Sequence, residues 1–389
     1  MKPCCLIAAA LANKPFNGGN AWSRLGWILG FRRLGYEVYF VEQISRDKCV
    51  DGEGAATAFG GSVNREYFRD LTEQFGLSEW SSLICGEGDE VFGVPLTKLE
   101  AVAAESSFLL NMSGHLAHDG LLGKCGLKVY LDDDPGYTQF WQAAGDGAAR
   151  MNGHDAYFTI GRNIGSPSCL IPTGNIQWKH TRPPADLEQW PVVQSAGFDR
   201  FTTVASWRGG YAPILHEGRK LGQKAHEFRK FFSLPSRTGR QFEVALDIHP
   251  GDHKDIAALG ADGWRLVDPK AVAKTAQAYR SYIQTSGAEF SPAQGVYVET
   301  NSGWFSDRTV RYLATGKPVL VQETGFSQHY PTGEGLLSFR NLEEAIEGVE
   351  RITGDYRKHC LAARKLAEDY FDSDKVIGDL LAQIGLKPG

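Results

Sequence analysis

The sequence predicts an α/β protein of two tandem domains, each a parallel sheet covered by helices, and three observations point there. Short apolar runs alternate with helical patterns through the first 160 residues. The stretch PTGNIQWKHTRPPADLEQWPVVQSAG, residues 172–197, then sets Pro172, Pro183, Pro184 and Pro191 between apolar segments and reads as a linker or domain boundary. From Phe201 the strand and helix rhythm begins again.

In order, Cys4 to Ala10 reads as a first buried strand, and Asn20 to Leu34 as a helix with Trp22, Leu25 and Leu29 at helical spacing. Gly35 supplies the C-terminal stop of that helix, and Glu37 to Val41 is the next strand. Ser107 to Asn111, Lys128 to Leu131 and Tyr157 to Ile160 are further buried strands followed by polar turns. After the linker come a strand at Phe201 to Ala205, a helix at Lys224 to Phe232, a strand at Phe242 to Asp247 and a helix at Ala278 to Thr285. No repeat of 20 to 50 residues and no low-complexity tract interrupts the pattern.

The chain has 389 residues, which at roughly 100 to 200 per domain fits two. Its 41 basic and 46 acidic residues leave a net charge of -5, without the basic surplus that nucleic-acid binding needs. No run approaches the ~18 apolar residues of a membrane span. The opening MKPCCLIAAALANK leads into a Gly/Asn loop rather than a cleavage site, and seven scattered cysteines fit free thiols in a cytoplasm.

Ligands of parallel α/β sheets bind beyond the carboxyl ends of the strands, under a facing domain where there is one. The stretch SGWFSDRTVRYLATGKPVLVQETGF, residues 302–326, has the parts for such a site. A polar loop enters a helix whose first turn holds Ser306, Asp307 and Arg308, and free N–H groups there attract a phosphate. Ser306 as an N-cap and Asp307 as a first-turn acid account equally for the same residues.

These residues resemble the donor domain of the GT-B glycosyltransferases. The resemblance lies in the glycine-containing loop, the helix ending Ala314-Thr315-Gly316-Lys317-Pro318, the strand Val319 to Gln322 and the acidic turn Glu323-Thr324-Gly325-Phe326. Gly333-Glu334-Gly335-Leu336-Leu337, followed by Asn341 to Ala345, extends it. In the first half, Asn17-Gly18-Gly19-Asn20 and the segment Arg33 to Val38 are similar to the glycine loop and strand entry of the acceptor domain. The resemblance implies two Rossmann-like domains facing across a cleft, an acceptor domain over 1-190 and a nucleotide-sugar domain over 191-389 whose last helix crosses back. It implies a metal-independent glycosyltransferase with a nucleotide diphosphate sugar as co-substrate and no cofactor. Gly18, Gly19, Asn20, Ser302, Gly303, Trp304, Ser306, Asp307 and Arg308 are its expected donor-binding residues, with Arg208 and Lys224 at the pyrophosphate. Glu323, Thr324, Gly325 and Phe326 are expected at the sugar. The paired carboxylates of many retaining members are replaced by Gly303 and Arg311.

A base must take the acceptor proton, and the candidates are His115, in Asn111-Met112-Ser113-Gly114-His115, with Asp133 and Asp134 after the strand ending at Leu131. His154-Asp155 is a further dyad. Three successive acids cannot all be buried without partners, so at least one faces the cleft. Trp22, Trp27, Phe31, Tyr137 and Trp141 suggest an apolar pocket for a hydrophobic acceptor or a sugar face. Alternatives are a metal-dependent transferase using the Asp-x-Asp of Asp132 and Asp134, and a dinucleotide oxidoreductase using Gly18-Gly19 and Glu42, although no G-x-G-x-x-G is present. A non-catalytic ligand-binding protein of the same fold is a third.

Overall fold

The first sheet is built outward from an almost wholly apolar strand, β1 (Cys4–Ala8), which buries side chains on both faces as a central parallel strand must. A computed structural model describes residues 2–194 and 197–389, so residues 195 and 196 of the proline-rich stretch lie outside it. The other strands of this sheet are β2 (Glu37–Ile44), β3 (Ser81–Cys85), β4 (Glu90–Gly93), β5 (Phe108–Met112), β6 (Lys128–Asp132), β7 (Ala156–Thr159) and β8 (Trp178–His180). Their order is β4-β3-β2-β1-β5-β6-β7-β8, with only the edge strand β4 antiparallel among the described residues. The proline-rich stretch is therefore not all linker: three of its residues form β8 and pair with β7.

The second domain repeats the plan with β9 (Phe201–Ser206), β12 (Phe242–Asp247), β13 (Trp264–Val267), β14 (Ala288–Ser291), β15 (Val319–Gln322) and β16 (Leu336–Phe339), and a hairpin of β10 (Ile214–His216) and β11 (Arg219–Leu221) stands apart. Its sheet order, β13-β12-β9-β14-β15-β16, is the doubly wound Rossmann order 3-2-1-4-5-6 once strands are counted within the domain. In both sheets the order reverses beside the first strand, at β1/β5 and β9/β14, which puts a ligand-binding crevice at each carboxyl edge.

The helix Gly18–Arg33 joins the halves. Its Asn17 cap accepts from the Asn20 amide, Trp22 Nε1 donates to Ala276 O at 2.7 Å, and Arg311 donates to Trp22 O and Pro184 O. Arg311, fully buried and lying over the Trp190 ring, thus serves the domain interface. The last helix, Ser373–Gln383, lies on Gly18–Arg33, with Gly30 against Ile377 and Ser373 and with Arg33 paired to Asp374. Among the described residues no helix is long and apolar enough to cross a membrane.

Gly18 shows how tightly the halves meet, since a Cβ there would lie 2.2 Å from Thr275 O of the second domain. Gly18→Ala is expected to push the helix off this carbonyl and to destabilise by about 1–3 kcal/mol, the range for overpacking. A thermal melt checks it, and an unchanged midpoint would show that the contact yields freely.

Candidate active site

The two carboxyl edges enclose a cleft of ≈ 540 Å³. From the first domain it is lined by Lys14, Asn17, Gly19, Asn20 and Arg24 around the start of the first helix, and by Asp133 and Asp134 after β6. From the second come Ser206 and Asp247 at strand ends, Lys270, Tyr279 and the group Trp304, Asp307 and Arg308.

The β1 loop is fixed by Glu42, whose buried carboxylate accepts from the amides of Ala12 and Asn13 at 2.6 and 2.8 Å. Burial pushes its carboxyl up to about 7 against those bonds. Glu42 therefore holds a loop rather than a ribose, contrary to what the oxidoreductase alternative requires. Asn20 is turned back, its Nδ2 donating to Ala10 O.

The three acids after β6 take three environments. Asp132 is buried and accepts from Thr138 Oγ1, Gln139 Nε2 and Thr159 Oγ1; burial raises its pKa to about 6 in spite of those donors. Asp133 pairs with Arg24 at 3.2 Å and accepts from Ser113 Oγ. Burial alone would raise it, but Arg24 and the Ser113 hydroxyl bring it below the usual range. Asp134 has no such partner; burial first, and the Asp133 charge second, push it up to about 7. Among the described residues, Asp134 is the acid that opens both to this cleft and to a neighbouring cavity. His115 lines that neighbouring cavity, and burial with the Arg24 charge lowers it to about 4 although Asp133 opposes them.

Across the cleft, the helix Asp307–Ala314 begins at Ser306, whose side chain makes no cap bond, so its first amides keep their donors. Arg308 is fixed by Glu289 at 2.6 Å, Val204 O at 2.8 Å and Ser291 Oγ at 2.6 Å. Three of its five N–H groups are used in these bonds, and the residue lines the cleft. Trp304 stacks on Tyr297 with centroids 4.3 Å apart.

No family model matches the sequence, and no curated protein matches it. Solved structures do. HepE from Anabaena in complex with UDP has a TM-score of 0.59 at 11% identity, over 98% of this chain and 99% of its own. A glycosyltransferase from Rickettsia africae ESF-5 has 0.54 at 11% identity, over 98% and 97%. AviGT4, a glycosyltransferase involved in avilamycin A biosynthesis, has 0.52 at 11%, also over 98% and 97%. This chain has the GT-B fold.

Within this GT-B fold, Gly19, Asn20, Trp304, Asp307, Arg308, Asp133 and Asp134 meet in one cleft, and several other expected residues do not. Gly18 is spent on Thr275. Arg208 pairs with Asp252 outside the cleft, and Lys224 is buried behind Arg308, donating to Pro292 O, where burial and the Arg308 charge lower it to about 7. Neither lines the space expected for a pyrophosphate. Ser302 is buried and bonds Tyr297 O, while Gly303 abuts Asn163 of the first domain.

The acidic turn stands outside the main cleft and borders a separate cavity of ≈ 300 Å³. Glu323 Oε1 accepts from Gly325 N and Ser327 N, and its other oxygen points toward Arg340 at 3.7 Å. A Cβ on Gly325 would meet Asn163 Nδ2 and Asn301 Oδ1 at 2.3 Å, so the glycine admits the close approach of Asn163 from the first domain. Thr324 Oγ1 donates to Trp304 O, and Phe326 packs on Phe305. The turn buttresses the Trp304 loop from behind, and none of its four residues lines the main cleft.

Of the aromatic set, Trp22, Phe31 and Tyr137 are buried, Trp27 lines the main cleft and Trp141 the neighbouring cavity. His154 bonds Asn111 and Met151 O away from the cleft. Lys14 in its loop and Lys270 in the five-residue helix Pro269–Ala273 carried no sequence signal, because neither a loop nor so short a helix has a period. Arg24 did carry a signal, as a cation on the buried stripe of Ala21, Leu25 and Ile28.

Proposed function

We propose that the protein is a metal-independent glycosyltransferase that moves a sugar from a nucleoside diphosphate sugar to a hydroxyl acceptor. One observation carries the reading: a helix start with open amides and Arg308 faces an unpaired carboxyl, Asp134, across a cleft between two Rossmann sheets. The pyrophosphate lies at Asp307 and Arg308, where amide donors and the guanidinium stabilise the charge that develops on the leaving phosphate. Asp134 takes the acceptor proton. The acceptor oxygen then bonds to the anomeric carbon as the bond from that carbon to the phosphate oxygen breaks, and its electron pair leaves on the nucleoside diphosphate. HepE, of the same fold, has been solved with UDP-glucose, which makes a UDP-sugar the first donor to try.

Metal independence is supported by Asp132. Its carboxylate is already engaged by three side-chain donors under the sheet edge, so Asp132 and Asp134 do not present a shared pair of oxygens to a cation. The expected result is UDP release from UDP-sugars at the same rate with and without a chelator. Activity lost in chelator and restored by manganese would return the metal-dependent reading, and no binding or turnover of any nucleoside diphosphate sugar would leave a non-catalytic protein of this fold.

A further inference from the structure

Beside the cleft lies a second cavity of ≈ 430 Å³, continuous with it through Lys14, Arg24 and Asp134. Its chemistry differs from what an apolar acceptor needs. Lys14, Lys48 and Arg150 line it, with Glu87 and Asp134 as its carboxyls. Arg24 is neutralised by Asp133, and Lys48 pairs with the adjacent, exposed Asp47 at 3.5 Å. Among the described residues Lys14 and Arg150 have no ion-pair partner within 4.0 Å. Cations left unpaired around a half-enclosed cavity raise the local concentration of anions.

The cationic position is also held at a conformational cost. Arg150 has φ 45 and Ser113 φ 49, the left-handed region that non-glycine residues rarely occupy. Arg150 sits there because Gly114, itself at φ 65, lets the two chains touch: a Cβ on Gly114 would lie 2.8 Å from Arg150 Cβ. Strained positions persist where the surroundings over-determine them, and here two of them line one cavity. The same cavity is lined by two rings, Trp141 of the first domain and Tyr211 of the second, in edge contact at 4.8 Å. Tyr211 also meets Tyr137 at 4.9 Å, so the second domain closes this cavity as well as the cleft.

We propose that this cavity is the acceptor site and that it takes a sugar carrying an anionic group, a carboxylate or a phosphate ester. The ring lies by Trp141 and Tyr211, a hydroxyl reaches Asp134 at the junction with the cleft, and the anion meets Lys14, Lys48 and Arg150. This rests on the transferase reading, since it names that reaction's acceptor.

The test is calorimetry on the full chain in low salt with UDP present, using methyl glucuronide, glucose 6-phosphate and methyl glucoside as probes. An anionic probe should bind at least about tenfold more tightly than methyl glucoside, one charge-assisted contact's worth, and lose that advantage as salt rises. Methyl glucuronide as the tightest ligand assigns a carboxylate, and glucose 6-phosphate a phosphate ester. Arg150→Gln should remove the preference while leaving UDP and methyl glucoside affinity unchanged, and Arg150→Lys should restore part of it. Lys48→Gln provides the same comparison if Arg150→Gln does not fold. Equal binding of charged and neutral sugars, or a preference that survives both substitutions, overturns the proposal. UDP binding without the anion preference overturns the acceptor assignment alone, whereas absence of binding by UDP and every other common nucleoside diphosphate overturns the transferase reading with it.

Discussion

Asp134→Asn is expected to lower the rate of sugar transfer by on the order of 10² to 10⁴, the range for loss of a general base, with UDP affinity little changed. The expectation follows from the contrast among the titratable groups at the cleft. Asp132 is consumed by three hydrogen bonds, and Asp133 is tied to Arg24 and held strongly ionised, hence weakly basic. His115, lowered to about 4, is neutral at physiological pH but a poor proton acceptor, and it sits in the side cavity. Asp134, raised to about 7 by burial and by Asp133, matches the pH at which a base is most useful. The sign follows from the role: a base works deprotonated, so kcat/KM should climb with pH, tenfold per unit below about 7, and level off above it. Asp134→Asn should remove that limb along with most of the rate. A variant that kept the wild-type profile would move the base elsewhere, with His115→Gln as the next substitution to measure.

Much of the fold was legible because buried parallel strands are short apolar runs between turn residues. β12 and β15 fall on the residues expected from the runs Phe242 to Asp247 and Val319 to Gln322, and the helix Gly18–Arg33 differs from expectation only at its ends. β8 was not legible, since a three-residue edge strand between prolines leaves no periodicity. The site divides in the same way. Asp307 and Arg308 stand at a helix start that capping chemistry marks in the sequence, and they face the cleft. Glu323 stands at a strand end that looks equally well marked, yet its carboxylate folds back on its own turn. The difference is Asn163, which comes from the other domain and fills the space beside Gly325; contacts between segments so far apart in the chain have no local signature. Arg311 makes the same point, because a cation inside an amphipathic helix suggested a departure from a catalytic pattern and proved to be a bolt between domains.

Arg308→Ala should show the second large effect, and it acts on two properties at once. Glu289 is completely buried, and Arg308 is its ion-pair partner at 2.6 Å, while the other carboxylate oxygen has no bond. Removing the guanidinium strands that charge, and breaking one side of a buried pair costs about 3–5 kcal/mol. The melting temperature should fall accordingly. UDP affinity should also fall roughly ten- to a hundredfold, the value of one charge-assisted bond to phosphate. A loss of affinity could come from either cause, so the single variant does not separate them. Pairing Arg308→Met with Glu289→Gln does, because it removes both charges and fills the space with side chains of similar length. Replacing a buried ion pair in this way is often neutral for stability. The double variant is therefore expected to melt near the wild type and still to bind UDP weakly. Recovery of both stability and affinity would make Arg308 a structural residue only, and the phosphate would then have to be held by the open amides at the start of the Asp307–Ala314 helix without it.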